Sequence, residues 1–248
     1  MNEYSYDPCA YEERYRKVYK EGAELWEELL PTEPLVRFLQ GFHWPKGLKI
    51  VDMGCGEGRD SIFLAKKGFD VTAIDVSRSA VKRAKKQSKQ EGLSMEVLVA
   101  DITSLPIRDE IYDLAINVAC LHIIIDQRAR DKHLCESRRV LKRDGLYFSC
   151  NIGVEEPTSV KDFYKRLGKK PGNLILRKIN VQGKEKKICL PIIAAWPKSK
   201  EQYLKEFTKV GFKILKVYKK NTKPVGNCWI IIAKKNPQNY IWYWTISS

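Results

Sequence analysis

From Leu48 onward the chain alternates short apolar runs with charged segments of helical length, and nothing else in it restricts the fold so strongly. The runs fall at 49–53, 70–74, 95–99, 112–117 and 146–151. Helical spacing occupies 59–67, 77–91 (behind Ser77, a suitable N-cap) and about 129–141. Apolar runs of this length separated by helices read as parallel strands, buried on both faces and joined by crossover helices.

Beyond Asn151 the rhythm breaks. Residues 154–198, punctuated by Pro157, Pro171, Gly172, Gly183, Pro191 and Pro197, read as an insertion with its own helix and short strands. A helix over 199–210 follows and ends at Gly211, a suitable C′ residue. The last β-rich runs, 212–218 and 228–233, are joined by "KKNTKPVGN", too short for a crossover helix, so this pair is expected to be antiparallel. Before the alternation, Tyr15, Val18, Tyr19, Ala23, Trp26, Leu29 and Leu30 recur at helical spacing over 11–30, and a short helix is expected at 35–40 after Pro31 and Pro34. The expected α/β architecture is a Rossmann-like, doubly wound, seven-stranded and mostly parallel sheet with a C-terminal antiparallel strand. A helical cap over 1–46 precedes a domain over 47–248, with a lid inserted at about 154–198.

Behind the first strand, "VDMGCGEG" places Gly54, Gly56 and Gly58 within five residues. Glycine inside a regular element costs roughly 0.5–1 kcal/mol relative to alanine, so three at one turn mean that something approaches the backbone closely. A bare turn between strand and helix lets a ligand meet the helix N-terminus at the carboxyl edge of the sheet. Dinucleotide folds require a small residue where Arg59 stands, which argues against NAD or FAD.

Taken together, "VDMGCGEGRDSIFLAKKGFDVTAIDVS" resembles the first two cofactor-binding motifs of class I S-adenosylmethionine-dependent methyltransferases. The resemblance continues through "VLVADITSLP", "YDLAINVACLHI", "RRVLKRDGLYF", "GFKILKVY" and "CWIIIAKK", and so covers 48–235. Within that superfamily the chain is most similar to the small-molecule branch of thiopurine-type and tellurite-resistance-type enzymes. The resemblance implies that Asp52, Gly54, Cys55, Gly56 and Gly58 hold the methionyl end of S-adenosylmethionine. It assigns the ribose to Asp75, followed by Val76, and the adenine to Asp101 and Ile102. Asn117, Val118 and the residues up to Cys120 would line the gap between sulfonium and acceptor. The alternative reading makes Asp75 and Asp101 turn or helix-capping acids, but two acids closing consecutive strands behind a glycine turn favour the cofactor.

Methyl transfer from a sulfonium requires alignment and desolvation of the acceptor, and a base only where the nucleophile arrives protonated. His122, just past strand four, is the candidate base, and a packing histidine is the alternative reading. No histidine pair shows metal-ligand spacing, and the seven scattered cysteines form neither a CxxC site nor a disulfide framework, so no metal is expected. "NVACLH" departs from the Asn-Pro-Pro-Tyr pattern of enzymes that methylate planar nitrogens. The activity implied by the resemblance, with the glycine turn, Asp75 and Asp101, is methyl transfer to oxygen, nitrogen or sulfur of a small molecule. Its selectivity would come from Tyr4, Tyr6, Tyr11, Tyr15, Tyr19 and Trp26 of the cap and from Phe163, Tyr164, Arg177 and Trp196 of the insertion.

Two other readings stand beside this one. The net charge of +15 is concentrated in 154–248, which hold 21 of the 45 basic and 6 of the 30 acidic side chains. That asymmetry suits either an RNA acceptor or a solvated lysine surface. A non-catalytic S-adenosylmethionine-binding protein is the other alternative. No apolar stretch is long enough for a membrane span or reads as a signal peptide, so a cytoplasmic monomer or homodimer is expected. The aromatic tail "NPQNYIWYWTISS" is expected to add a strand, fold onto the lid or mediate dimerisation.

Overall fold

The computed structural model describes residues 7–23, 30–181, 184–223 and 225–236. Its centre is a seven-stranded sheet in the order β3-β2-β1-β4-β5-β9-β8. The strands are β1 (Lys49–Met53), β2 (Asp70–Asp75), β3 (Glu96–Val99), β4 (Tyr112–Val118), β5 (Leu141–Ile152), β8 (Phe212–Thr222) and β9 (Gly226–Lys235). β1 to β5 pair in parallel, and β9 runs antiparallel to both of its neighbours. This is the mixed, mostly parallel Rossmann-like sheet expected from the alternation.

The apolar runs are continuous because both faces of the sheet are covered. Along β1, Val51 and Met53 face a core shared with Tyr147 and Phe207, whereas Ile50 faces one shared with Leu35, Phe38 and Phe148. Along β4, Ala115 joins the first core and Leu114 and Ile116 the second. The crossover helices are α3 (Arg59–Lys66), α4 (Arg78–Gln90) and α5 (Gln127–Val140). Ser77 and Asp126 cap α4 and α5 by accepting from the Ala80 and Ala129 amides at 3.1 and 2.8 Å. α2 (Glu33–Gln40) lies over the second core, and α7 (Lys200–Lys209) brings Tyr203 and Phe207 to the first.

Three boundaries differ from expectation. The first helix, α1, spans Pro8–Lys20 rather than 11–30. It ends in a turn at Glu21 and at Gly22, whose φ of 74° breaks the helical path. Residues 24–29, on which the rest of that helix was expected, lie outside the described residues, as do Tyr4, Tyr6 and the tail from 237. β5 starts directly at Leu141 and includes "KRDG", where a loop was expected; an irregularity in its pairing with β4 between Tyr112 and Leu114 accommodates the extra length. The final hairpin absorbs most of "KKNTKPVGN", with Lys219 opposite Trp229 and Thr222 opposite Gly226. Exposed lysines suit β8 because it is an edge strand, where charge discourages pairing with other chains.

Residues 154–198 hold α6 (Val160–Leu167) and a separate antiparallel hairpin of β6 (Leu174–Val181) and β7 (Lys184–Pro191). Tyr15 and Val18 of α1 share a cluster with Ala80 of α4 and with Ile179 and Leu190 of the hairpin. α1 thus lies between α4 and the hairpin, on the side where the parallel strands end.

Candidate active site

The glycine turn is folded tightly onto β2. The Gly54 and Cys55 amides both donate to Ile74 O at 2.9 Å. Gly54, Gly56 and Gly58 have φ values of 93°, 55° and 85°, a left-handed path that glycine follows without a steric penalty. Their missing side chains are used first by the chain itself. A Cβ on Gly54 would lie 2.4 Å from Cys120 Sγ, one on Gly56 2.7 Å from Tyr15 Oη, and one on Gly58 3.0 Å from Ala84 Cβ. Close packing by Cys120 just beyond β4, by α1 and by α4 therefore accounts for the three glycines in the structure.

Two acids flank this turn. Asp75, at the end of β2, accepts the Gly56 amide at 2.8 Å on one carboxylate oxygen and the Ser77 amide at 2.8 Å on the other. Burial raises its pKa, and those two amides oppose the rise. A carboxylate has about four lone-pair positions, so Asp75 retains acceptor capacity on both oxygens. Asp52 lies beneath the turn, accepts a hydrogen bond from Ser61 Oγ, and has its pKa pushed up to about 7 by burial and by nearby Asp60.

A cavity of about 390 Å³ opens along this edge. Asp52, Gly54, Cys55, Gly56, Asp75, Val76, Ile102, Val118 and His122 line it, nine of the twelve residues that the sequence assigns to the cofactor or the base. Gly58, Asp101 and Asn117 do not line it. Gly58 supports helix packing, as above. Asp101 accepts the Thr103 amide at 2.8 Å and closes a turn. Asn117 is fully buried beneath the cavity floor.

Asn117 belongs to a hydrogen-bond chain with one permitted polarity. The Leu121 amide donates to Asn117 Oδ1 at 3.0 Å, which fixes the side-chain amide, so Nδ2 donates to Met53 O at 3.0 Å and to His133 Nε2 at 3.2 Å. His133 Nδ1 then carries the proton and donates to Ile102 O at 3.4 Å. In the other direction, Asn151 Nδ2 donates to Asn117 Oδ1 and to Ser149 Oγ, each at 2.9 Å. Asn151 Oδ1 accepts the His122 amide at 3.2 Å and therefore also accepts from His122 Nδ1 at 3.1 Å. The proton of neutral His122 is thereby held on Nδ1, and Nε2 keeps its lone pair. Burial pushes the pKa of this imidazole down to about 4, against the opposing hydrogen bond to Asn151. At neutral pH the cavity wall thus presents an uncharged, oriented base.

The opposite wall comes from α1 and the insertion. Tyr11, Arg14 and Tyr15 occupy one face of α1, as their i, i+3, i+4 spacing requires, and face Ile175 and Arg177 of β6 and Ile192, Ile193 and Ala195 beyond β7. Tyr164 and Trp196 do not line the cavity but hold this wall. The Ala195 amide donates to Tyr164 Oη at 2.6 Å, and the Trp196 amide donates to His122 O at 2.6 Å. Phe163 packs edge-on against Tyr164. Sequence reading missed Arg14 and Asn151. The α1 face carried a signal for Arg14, whereas Asn151 becomes apparent only once β4 and β5 are in register.

Among the described residues there is no cluster of three or more histidine, cysteine or acidic side chains able to hold a metal, and no helix long and apolar enough to cross a membrane.

Residues 50–145 match a family model described as a methyltransferase domain. A sarcosine/dimethylglycine N-methyltransferase of Aphanothece halophytica is 29% identical over 137 residues, 51% of this chain and 48% of that protein. The ribosomal RNA small subunit methyltransferase C of Alcanivorax borkumensis is 31% identical over 113 residues, 46% of this chain and 33% of that one. The chain thus spans about half, or less, of the length of these curated relatives. In three dimensions it is similar to the 1,6-didemethyltoxoflavin-N1-methyltransferase of Burkholderia thailandensis, crystallised with 1,6-didemethyltoxoflavin and S-adenosylhomocysteine. The TM-score is 0.64 at 15% identity, covering 92% of this chain and 88% of that one. Residues 50–145 are thus similar to a methyltransferase domain, and the sheet that contains them shares the Rossmann-like fold of that solved methyltransferase.

Proposed function

We infer that this protein moves a methyl group from S-adenosylmethionine to oxygen, nitrogen or sulfur of a small molecule. The observation that carries the reading is a single cavity with the glycine turn and Asp75 at one end and the oriented lone pair of His122 in its wall.

The residues present fit the cofactor. Asp75 has acceptor capacity for vicinal ribose hydroxyls, Val76 and Ile102 offer apolar surface to an adenine ring, and acidic Asp52 and Glu57 suit the cationic methionyl end. When bound, S-adenosylmethionine supplies an activated methyl group with a good leaving group. The chain has three tasks around it. α1 and the insertion, which we read as a cap and lid, exclude water from the cavity. The apolar wall of Ile192, Ile193 and Ala195 orients the acceptor. His122 Nε2 takes the proton of an acceptor hydroxyl, amine or thiol as the new bond forms, while Asn151 steadies the resulting imidazolium through Nδ1–H.

The test is transfer of labelled methyl from S-adenosylmethionine to a panel of small hydroxylated, amino and thiol compounds. Transfer by wild type that falls at least tenfold in His122→Ala, with S-adenosylhomocysteine binding retained, is the expected result. Binding without transfer to any compound would favour a non-catalytic role. The basic residues of the last third favour RNA as the second acceptor class. Transfer to RNA alone, with affinity falling steeply as salt rises, would replace the small-molecule reading.

A further inference from the structure

The cavity is electrically divided. Its four acidic lining residues, Asp52, Glu57, Asp60 and Asp75, come from the end of β1, the glycine turn, the start of α3 and the end of β2, and none from α1 or residues 154–198. Three arginines also line it. Arg59 is committed to the acidic end, donating to Thr32 Oγ1 at 2.7 Å and Asp60 Oδ2 at 3.3 Å. Arg14 and Arg177 belong to the opposite end. Arg14 is only 8% exposed and points away from the glycine turn: its Nη1 donates to Pro191 O at 3.1 Å, where β7 runs into the Ile192–Ala195 wall. Arg177 approaches from β6, paired with Ile188 of the same hairpin.

Two arginines from separate elements therefore line the same end of the cavity, and that end is joined to the candidate base, since Trp196 of the same segment donates to His122 O. Burial and the neighbouring Arg177 charge both lower the Arg14 pKa, as expected for a buried cation with a second, partly exposed one nearby. Such an arrangement is stabilised when an anion lies between the charges, and guanidiniums bind the planar oxygens of carboxylate and phosphate by paired N–H donation.

We propose that Arg14 and Arg177 form an anion subsite for the methyl acceptor, which is a small molecule bearing a carboxylate or phosphate at the end remote from its methylated atom. This rests on the methyltransferase reading for the meaning of the site, but the anion site itself is tested without turnover. With the acidic end suited to the cationic part of the cofactor, the cavity then neutralises one ligand at each end.

The probe is inorganic phosphate, titrated into protein saturated with S-adenosylhomocysteine and followed through the arginine Nε–H signals by NMR. Saturable shifts of Arg14 and Arg177, weakened at least tenfold in Arg177→Gln with S-adenosylhomocysteine affinity kept within twofold, are expected. Arg14→Lys keeps a charge at the buried position and should weaken phosphate less than Arg177→Gln. Absence of a saturable shift overturns the proposal. So does displacement of S-adenosylhomocysteine by phosphate, or a tenfold loss of its affinity in Arg177→Gln, since either would assign the anion to the cofactor's own carboxylate. If S-adenosylhomocysteine does not bind wild type, the methyltransferase reading fails. The same titration on unloaded protein then decides the anion site by itself.

Discussion

Asn151→Leu should release the tautomer of His122 while leaving the glycine-turn end of the cavity in place. Leucine is close to asparagine in size but removes the Oδ1 that accepts both the His122 amide at 3.2 Å and Nδ1 at 3.1 Å. A buried donor left without its partner costs about 1–3 kcal/mol. Applied to Nδ1–H, that cost no longer favours the proton on Nδ1, so the population with a free Nε2 lone pair falls by roughly 5- to 150-fold relative to the other tautomer. The substitution also removes the Asn151 donations to Asn117 and Ser149, so the melting temperature falls as well and cannot by itself report on the base. The decisive assay is ¹⁵N NMR of the His122 ring. Wild type should show a protonated Nδ1 and an unprotonated Nε2 that do not titrate between pH 5.5 and 8, because the pKa lies near 4. Asn151→Leu should show averaging of the two nitrogens, with S-adenosylhomocysteine affinity unchanged within about threefold, an allowance of under 1 kcal/mol. A wild-type ring protonated on Nε2, or a variant ring indistinguishable from wild type, would refute the positioning role.

Two further perturbations test the packing and the charge state of the site. Gly54→Ala places a Cβ 2.4 Å from Cys120 Sγ at a φ of 93°, and should lower stability by about 2–5 kcal/mol, the sum of overpacking and left-handed strain. Thermal denaturation should show this loss, partly recovered by adding Cys120→Gly; an unchanged melting temperature would contradict the close approach. Acid sensitivity has two opposing sources. Burial lowers both His122 and His133 to about 4, so the unfolded chain binds more protons between about pH 4 and 6.5 and stability rises with pH there. Asp52, raised to about 7, is protonated in the folded state over the same range and gives the opposite slope. Urea denaturation of Asp52→Asn from pH 4.5 to 6.5 should therefore gain stability more steeply than wild type, by about one proton or roughly 1.4 kcal/mol per pH unit. An equal or shallower slope would mean that Asp52 is ionised.

The sheet was legible in the sequence because its central strands are buried on both faces, so each writes an uninterrupted apolar run regardless of its neighbours. Edges and junctions were less legible. The "KKNTKPVGN" stretch continues the β8–β9 ladder although its lysines look turn-like, since at an edge strand the backbone pairs while the side chains stay in water. α1 stops at Lys20 although helical spacing runs on to Leu30, because the spacing does not register the left-handed break at Gly22. Within the site, the glycine turn, Asp75 and His122 were readable as local motifs. Their partners were not: Asn151 meets His122 only through the β4–β5 register, and Arg14 and Arg177 line one cavity only after α1 and a hairpin more than 150 residues later close on it. The glycines themselves were legible as a close approach, but the approaching atoms in the structure are Cys120, Tyr15 and Ala84.

Calorimetric titration of wild type and Asp75→Ala with S-adenosylmethionine reaches the core of this account. Asp75 both braces the Gly56 amide and retains acceptor positions on oxygens that line the cavity. Its loss removes charge-assisted hydrogen bonds worth about 1.5–3 kcal/mol, or roughly 10- to 150-fold in affinity. Saturable binding to wild type, weakened by that factor in the variant, is the predicted result. No binding to wild type, or equal affinity in the two proteins, would contradict it.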